Sequence, residues 1–168
     1  QQITAVIREV RPTILLLQSP EDYMEDHMNA SRLGVSAAFF RGMRNWTSAP
    51  PLPPIPGEVA VYHALPYGLR DGMRRRIQPS HYVDIADTLA LKRAALACHR
   101  SQKEWLDTSQ GLDSYLHTME DMAKTVGTWS GRFTHAEGWR LRSHLGFCAE
   151  DADPLSELLG AQILLNEN

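Results

Sequence analysis

An α/β fold with a parallel sheet is what this sequence predicts, and three observations carry the prediction. A short apolar run, "TILLLQS" at 13–19, is flanked by Pro12 and Pro20 and is too brief for a buried helix. An amphipathic segment precedes it, and a polar loop opening into a second amphipathic segment follows, which is the helix–strand–helix rhythm of such folds. At 168 residues, with 43% hydrophobic and 22% charged residues, the chain is most simply one domain, 1–168, with its own core.

Each element has a local reason. Residues 3–10 read as a helix patterned on Ile3, Val6, Ile7 and Val10, and Pro12 ends it by biasing Arg11 away from helical angles. The run 13–18 reads as a strand covered on both faces. A helix over 26–43 carries the stripe Ala30, Leu33, Ala37, Phe40 and Met43. "TSAPPLPPIPG" (47–57), with five prolines, is a stiff extended connector crossing the surface. "EVAVYHAL" (58–65) and "HYVDIAD" (81–87) alternate as half-buried strands do, with a loop or short helix between them. One long helix is expected over 87–106, with Asp87 as N-cap and Leu89, Lys92, Ala95, Leu96 and His99 in register. Another covers 112–126 and stops near Gly127. A short helix at 135–144 and an apolar helix or strand at 155–165 complete the chain.

Composition removes several function classes. A formal charge of −3 gives no electrostatic reason to expect nucleic acid or an anionic membrane. No apolar run approaches the roughly 20 residues of a membrane span, and residues 1–11 lack the apolar core of a signal peptide, so the cytoplasm is the expected location. Cys98 and Cys148 follow no metal or redox spacing and are expected to be reduced and buried. Trp46, Trp105, Trp129 and Trp139 read as core or interface residues, and Arg74, Arg75 and Arg76 as a solvated or subunit-contacting surface.

The chemistry-bearing stretch is "SPEDYMEDHMNASRLG" (19–34), which gathers Glu21, Asp22, Glu25, Asp26 and His27. It follows the buried strand, so in an open α/β sheet it lies at the carboxyl rim where ligands bind. An imidazole there can ligate a metal, and a neighbouring carboxylate can orient a ligand or manage a proton. Carboxylates before a helix also cap its free N–H groups and suit its positive end. The residues alone leave these readings open.

"IREVRPTILLLQSPEDYMEDHMNASRLGVSAAFF" resembles the second signature region of the LmbE-like, or PIG-L, family of zinc-dependent N-acetylglucosaminyl deacetylases. There an "RP" turn leads into a strand, a loop ending in H-P-D-H, and a helix with small residues and "AAF". "KRAALACHRSQ" resembles the family's Lys-containing helix ending in H-x-S-Q, and "THAEGWR" its Y-A-E-G-F segment. The resemblance implies a Rossmann-like parallel sheet with flanking helices. It places His27 on the zinc-ligating histidine of H-P-D-H and Asp26 on the catalytic aspartate. It makes Asp22, Glu25, His135 and Glu137 candidates for substrate binding. Met24 stands where the motif's first histidine would be, and a thioether can neither act as an acid nor stabilise an oxyanion.

The family's first signature, H-P-D-D, carries two more zinc ligands and the general base, and it is absent. "HYVD" (His81, Asp84) is the nearest imitation, but it lies in a strand-like segment downstream of His27. A catalytic zinc takes three protein ligands and an open position. The resemblance therefore implies the C-terminal part of an LmbE-like deacetylase domain, N-terminally truncated, with its remaining zinc ligands outside this chain. It implies hydrolysis of an N-acetylglucosamine conjugate or related N-acyl amino sugar, with a homo-oligomer or a missing N-terminal segment completing the fold. Two alternatives stand beside it: a catalytically incomplete binding or assembly subunit, and a metal-independent hydrolase built on Glu25 and Asp26.

Overall fold

A computed structural model describes residues 1–111 and 113–166, except the side chains of Lys103 and Gln110. Its five strands form a mixed sheet in the order β1-β2-β4-β3-β5, with flanking helices. The chain divides into two compact units, Gln1–Ser80 with Trp139–Gly160 and His81–Gly138 with Ala161–Asn168.

In the first unit, helix α1 spans Gln2–Val10 and ends at Arg11, whose left-handed φ of 52° turns the chain before Pro12. Its buried positions are Thr4, Ala5, Ile7 and Arg8, so Ile7 alone of the expected apolar set is inside; Ile3, Val6 and Val10 are exposed. Strand β1, Ile14–Leu17, pairs parallel with β2, Ala60–Ala64. The strand expected to be covered on both faces is instead the edge of the sheet, and Leu16 is half exposed. Double-sided burial belongs to β2, where the expected alternation is replaced by four consecutive buried residues. A central strand has a neighbour on each side and layers above and below; an edge strand lacks one neighbour.

Helix α2 spans Glu25–Phe40. Its buried stripe is Ser31, Gly34, Ala37 and Ala38, displaced from the expected one, and Leu33 is exposed. Small residues face the sheet because the approach is close: a Cβ on Gly34 would lie 2.6 Å from Leu17 Cδ2. Ile7, Ala37, Ala38, Val59, Val61 and Phe147 form the core, with Leu15, Leu17, Val35 and Cys148 packed against it. The proline connector does more than cross the surface, since Ser48 and Ile55 are buried. The stretch expected as a short helix over 135–144 holds strand β4, Ala136–Leu141; its last three residues pair antiparallel with β2, matching His63 to Arg140. Helix α6, Pro154–Leu159, is capped by Asp153, which accepts the Ser156 N–H.

In the second unit, β3, His81–Asp84, pairs antiparallel with β5, Ile163–Leu165. The single helix expected over 87–106 is two: α3, Leu89–Ala97, and α4, Arg100–Gln110. Asp87 lies in a short 3-10 turn, and Thr88 holds the N-cap position. The break falls at His99, whose ψ of 66° is not helical, and both pieces pack against α5. Helix α5 spans Ser114–Ser130, and the expected start at 112 lies outside the described residues. Gly127 does not stop it. That glycine is buried within the helix, where a Cβ would meet the Thr134 carbonyl oxygen at 2.6 Å, and the cap is Gly131 at φ 65°. Both cysteines are free, but Cys98 is exposed rather than buried, and Trp105 is exposed and so outside the core.

Candidate active site

Because β1 and β2 are parallel neighbours, the loops that follow them leave the same rim of the sheet. The loop after β1 is shaped from within. Ser19 is buried, and its hydroxyl donates to the Glu21 carbonyl while accepting the Glu21 N–H. Asp22 is buried as well, and its Oδ1 accepts the Met24 N–H at 3.0 Å. Met24 holds the N-cap position of α2 and makes no side-chain cap bond. The acidic cluster is thus not a simple helix cap: its one buried carboxylate turns the loop.

That same Asp22 Oδ1 lies 3.2 Å from His27 Nδ1, with 4% of the Asp22 side chain exposed and 41% of His27's. With Nδ1–H donating to the carboxylate, Nε2 of His27 keeps its lone pair. A carboxylate behind the ring in this way sets the angle and tautomer of a metal-ligating imidazole. The carboxylate in contact with His27 is therefore Asp22, which the resemblance implied only for substrate. Asp26 and Glu25 are exposed in the first turn of α2 and pair with no side chain among the described residues. Adjacent helical residues point about 100° apart, so these two do not converge as a catalytic carboxylate pair.

Beneath the rim the sheet presents a polar row. His63 on β2 is opposite Leu17 on one side and Arg140 on the other. Its Nδ1 is 2.9 Å from the Gln18 carbonyl oxygen and 3.2 Å from Ser31 Oγ, one helical turn beyond His27 on α2. The carbonyl can only accept, so Nδ1 carries the proton. Nε2 is buried with no hydrogen-bond partner among the described residues, and burial lowers the His63 pKa, keeping the ring neutral. Arg140 donates to Ser19 Oγ at 2.9 Å and pairs with Glu21 at 3.3 Å. His63 and Arg140 thus brace the loop that carries Asp22, and His63 also ties it to the helix that carries His27. Neither His63 nor Arg140 is singled out by its own stretch of sequence; the signal is the strand register, which no single stretch of sequence contains.

His135 and Glu137 belong to the second unit. Glu137 pairs with Lys92 of α3 at 2.6 Å, and the His135 carbonyl accepts the Ile85 N–H. Two stretches that resemble family motifs, "KRAALACHRSQ" and "THAEGWR", are therefore joined by an ion pair. His81 is buried in β3, and Asp84 accepts the Ala86 N–H.

Among the described residues no three His, Cys, Asp or Glu side chains gather as a metal site. His27 with Asp22 is one oriented ligand where a catalytic zinc takes three, so these residues alone do not fit the ion. No helix among them is long and apolar enough to cross a membrane.

No family model matches the chain. It is 30% identical over 144 residues to the diacetylchitobiose deacetylase of Thermococcus kodakarensis, covering 83% of this chain and 49% of that protein. The chain therefore spans about half the length of that relative. Among solved structures it resembles the conserved protein TT1542 from Thermus thermophilus, with a TM-score of 0.65 and 22% identity over 84% of this chain and 57% of that one. It resembles N,N'-diacetylchitobiose deacetylase from Pyrococcus horikoshii at TM-score 0.60 and 21% identity, over 91% and 54% of the two chains. GalB, the 4-carboxy-2-hydroxymuconate hydratase from Pseudomonas putida, superposes at a TM-score of 0.59 with 22% identity, over 83% and 55%. At such identities the structures share a fold, and the fold serves more than one chemistry. The ordered motifs, the related sequence and the shared fold together support the resemblance to the LmbE-like, or PIG-L, family.

Proposed function

We propose that this chain is the C-terminal share of a zinc-dependent deacetylase that removes the N-acetyl group from an N-acetylglucosamine conjugate or a related N-acyl amino sugar. The observation that supports this reading is the His27–Asp22 pair, a half-exposed imidazole held through Nδ1 by a buried carboxylate at the sheet's carboxyl rim. The name of the related sequence, a diacetylchitobiose deacetylase, supports the amino-sugar substrate. His27 is one ligand through Nε2, and the other ligands come from outside this chain. The edge of β1, with Leu16 half exposed, is where further polypeptide can add to the sheet, from the same chain or from another copy.

The chain's own residues do the positioning. Asp22 fixes the tautomer and the ring angle of His27, and the Ser19–Glu21–Arg140 group holds Asp22's loop in place. Asp26, exposed at the mouth of α2, is the carboxylate free to exchange a proton with substrate or water. Glu25 is equally open to a substrate, and His135 and Glu137 keep the substrate-side role that the family resemblance implies.

Metal content and acetate release from the β-1,4-linked N-acetylglucosamine disaccharide test this in the protein complete with the polypeptide that supplies the other ligands, as wild type and as His27→Ala. Expected are about one zinc per chain and released acetate, both lost in the variant. A wild-type protein that takes up no zinc and releases no acetate overturns the proposal. That result favours a binding or assembly subunit, the reading to which Met24 and the lack of three gathered ligands among the described residues belong.

A further inference from the structure

Two tyrosines at the rim have no part in the positioning just described. Tyr23 is 66% exposed and Tyr67 52% exposed, yet their rings meet, with centroids 5.8 Å apart and planes tilted by 52°. Tyr23 lies between Asp22 and Met24 in the loop after β1. Tyr67 opens a one-turn 3-10 segment just after β2. The parallel pairing of β1 and β2 explains how residues 44 positions apart reach one spot. The Tyr23 ring also meets His27 edge-on, at 6.2 Å and 85°. An exposed aromatic pair therefore touches the imidazole of the candidate site. Large apolar side chains left together in water mark a contact surface more often than scattered ones do.

We propose that Tyr23 and Tyr67 form a pyranose-stacking subsite beside His27. A β-linked hexopyranose offers an apolar C–H face and a rim of hydroxyls. A tyrosine offers an apolar ring and one hydroxyl at its tip, so both halves of the sugar find a match. Glu21, two residues up the same loop, keeps 57% of its side chain exposed while paired with Arg140, and so offers an acceptor for sugar hydroxyls. The edge-on contact with His27 places the stacked ring next to the imidazole, so the subsite selects an amino sugar with a neighbouring sugar unit over a free N-acyl amine. This deepens the proposed function and rests on it for the identity of the sugar.

Binding of the β-1,4-linked N-acetylglucosamine disaccharide is measured by saturation-transfer NMR with a chelator present, so that stacking is read apart from metal chemistry. Wild type, Tyr23→Ala, Tyr67→Ala and Tyr67→Phe are compared. Stacking predicts about tenfold weaker binding for either alanine variant and near wild-type binding for phenylalanine. In acetate release the alanine variants raise KM and leave kcat unchanged. The subsite is overturned if wild type does not bind the disaccharide, if both alanine variants bind as wild type, or if phenylalanine loses as much as alanine. Disaccharide binding that needs the tyrosines, without acetate release, leaves the subsite standing and removes the deacetylase reading. Acetate release with unchanged KM in the alanine variants does the reverse.

Discussion

Two polar groups of residues in the first unit sit within a few turns of chain from one another and are built in opposite ways. One is interior. Arg8 is 3% exposed, and its guanidinium donates to five backbone carbonyls, those of Phe40, Arg41, Met43, Trp46 and Leu52. No acidic partner is needed, because the oxygens at the end of α2 and in the turn beyond it lie where a helix is electronegative. Tyr62 is fully buried, donates to Asp153 at 2.6 Å and accepts the Leu155 N–H, and its pKa is pushed well above the usual range by burial. The other group is the rim, where Asp22 is buried but His27 and Tyr23 face water. Inside, polar atoms are used up by partners. At the rim one buried carboxylate orients an imidazole whose second nitrogen stays available. Saturated polar residues hold a fold, and half-saturated ones are left for a ligand.

The contrast breaks most clearly at Arg8. Arg8→Met strands several carbonyls, and at about 1–3 kcal/mol for each group left unpaired the loss should be on the order of 4 kcal/mol, lowering Tm by about 10 °C. A thermal melt within about 2 °C of wild type would show that the buried guanidinium is not what joins α1 to the end of α2. Asp22→Asn should do the opposite. Its amide oxygen keeps the loop turn and the contact with His27 Nδ1 but loses the negative charge that strengthens the imidazole as a ligand, so on the proposed zinc reading zinc affinity falls about 10–100-fold with little change in Tm. Equal effects on both readouts would erase the distinction between rim and interior.

Tyr62→Phe sharpens the interior side, with a loss of about 1.5 kcal/mol by denaturant titration and no change in metal content. The smallest effect is in pH. Burial lowers the His63 pKa below its unfolded value, so the folded protein holds fewer protons than the unfolded chain there. Its contribution is complete above about pH 6.5 and is lost as pH falls through the folded value, with a slope of at most about 1.4 kcal/mol per pH unit. His63→Gln should remove that acid limb from the stability profile; an unchanged limb would place the titrating group elsewhere.

The elements legible in the sequence are those with a local cause. Pro12 stops α1, the five-proline run from 47 to 57 excludes regular structure, and the loop before α2 shows its acidic residues and His27 without any need of tertiary context. The misread elements each have a cause outside their own stretch. β4 reads as helical over 135–144 because "AEGWRL" suits either period, and its pairing with β2 decides the matter. Gly127 reads as a stop because glycine usually is one, but the backbone of Thr134 requires a residue without Cβ inside α5.

By itself the sequence determined that this is an α/β chain, that His27 stands at the end of its first strand, and which family it resembles; turn chemistry and hydrophobic period are local and can be read in a line. Only the tertiary structure decided that Asp22 rather than Asp26 holds His27, that β2 and not β1 is the covered strand, and that Tyr23 meets Tyr67. Those three facts depend on strand register and on which chain segments exclude water from one another, and neither is a property of any single segment.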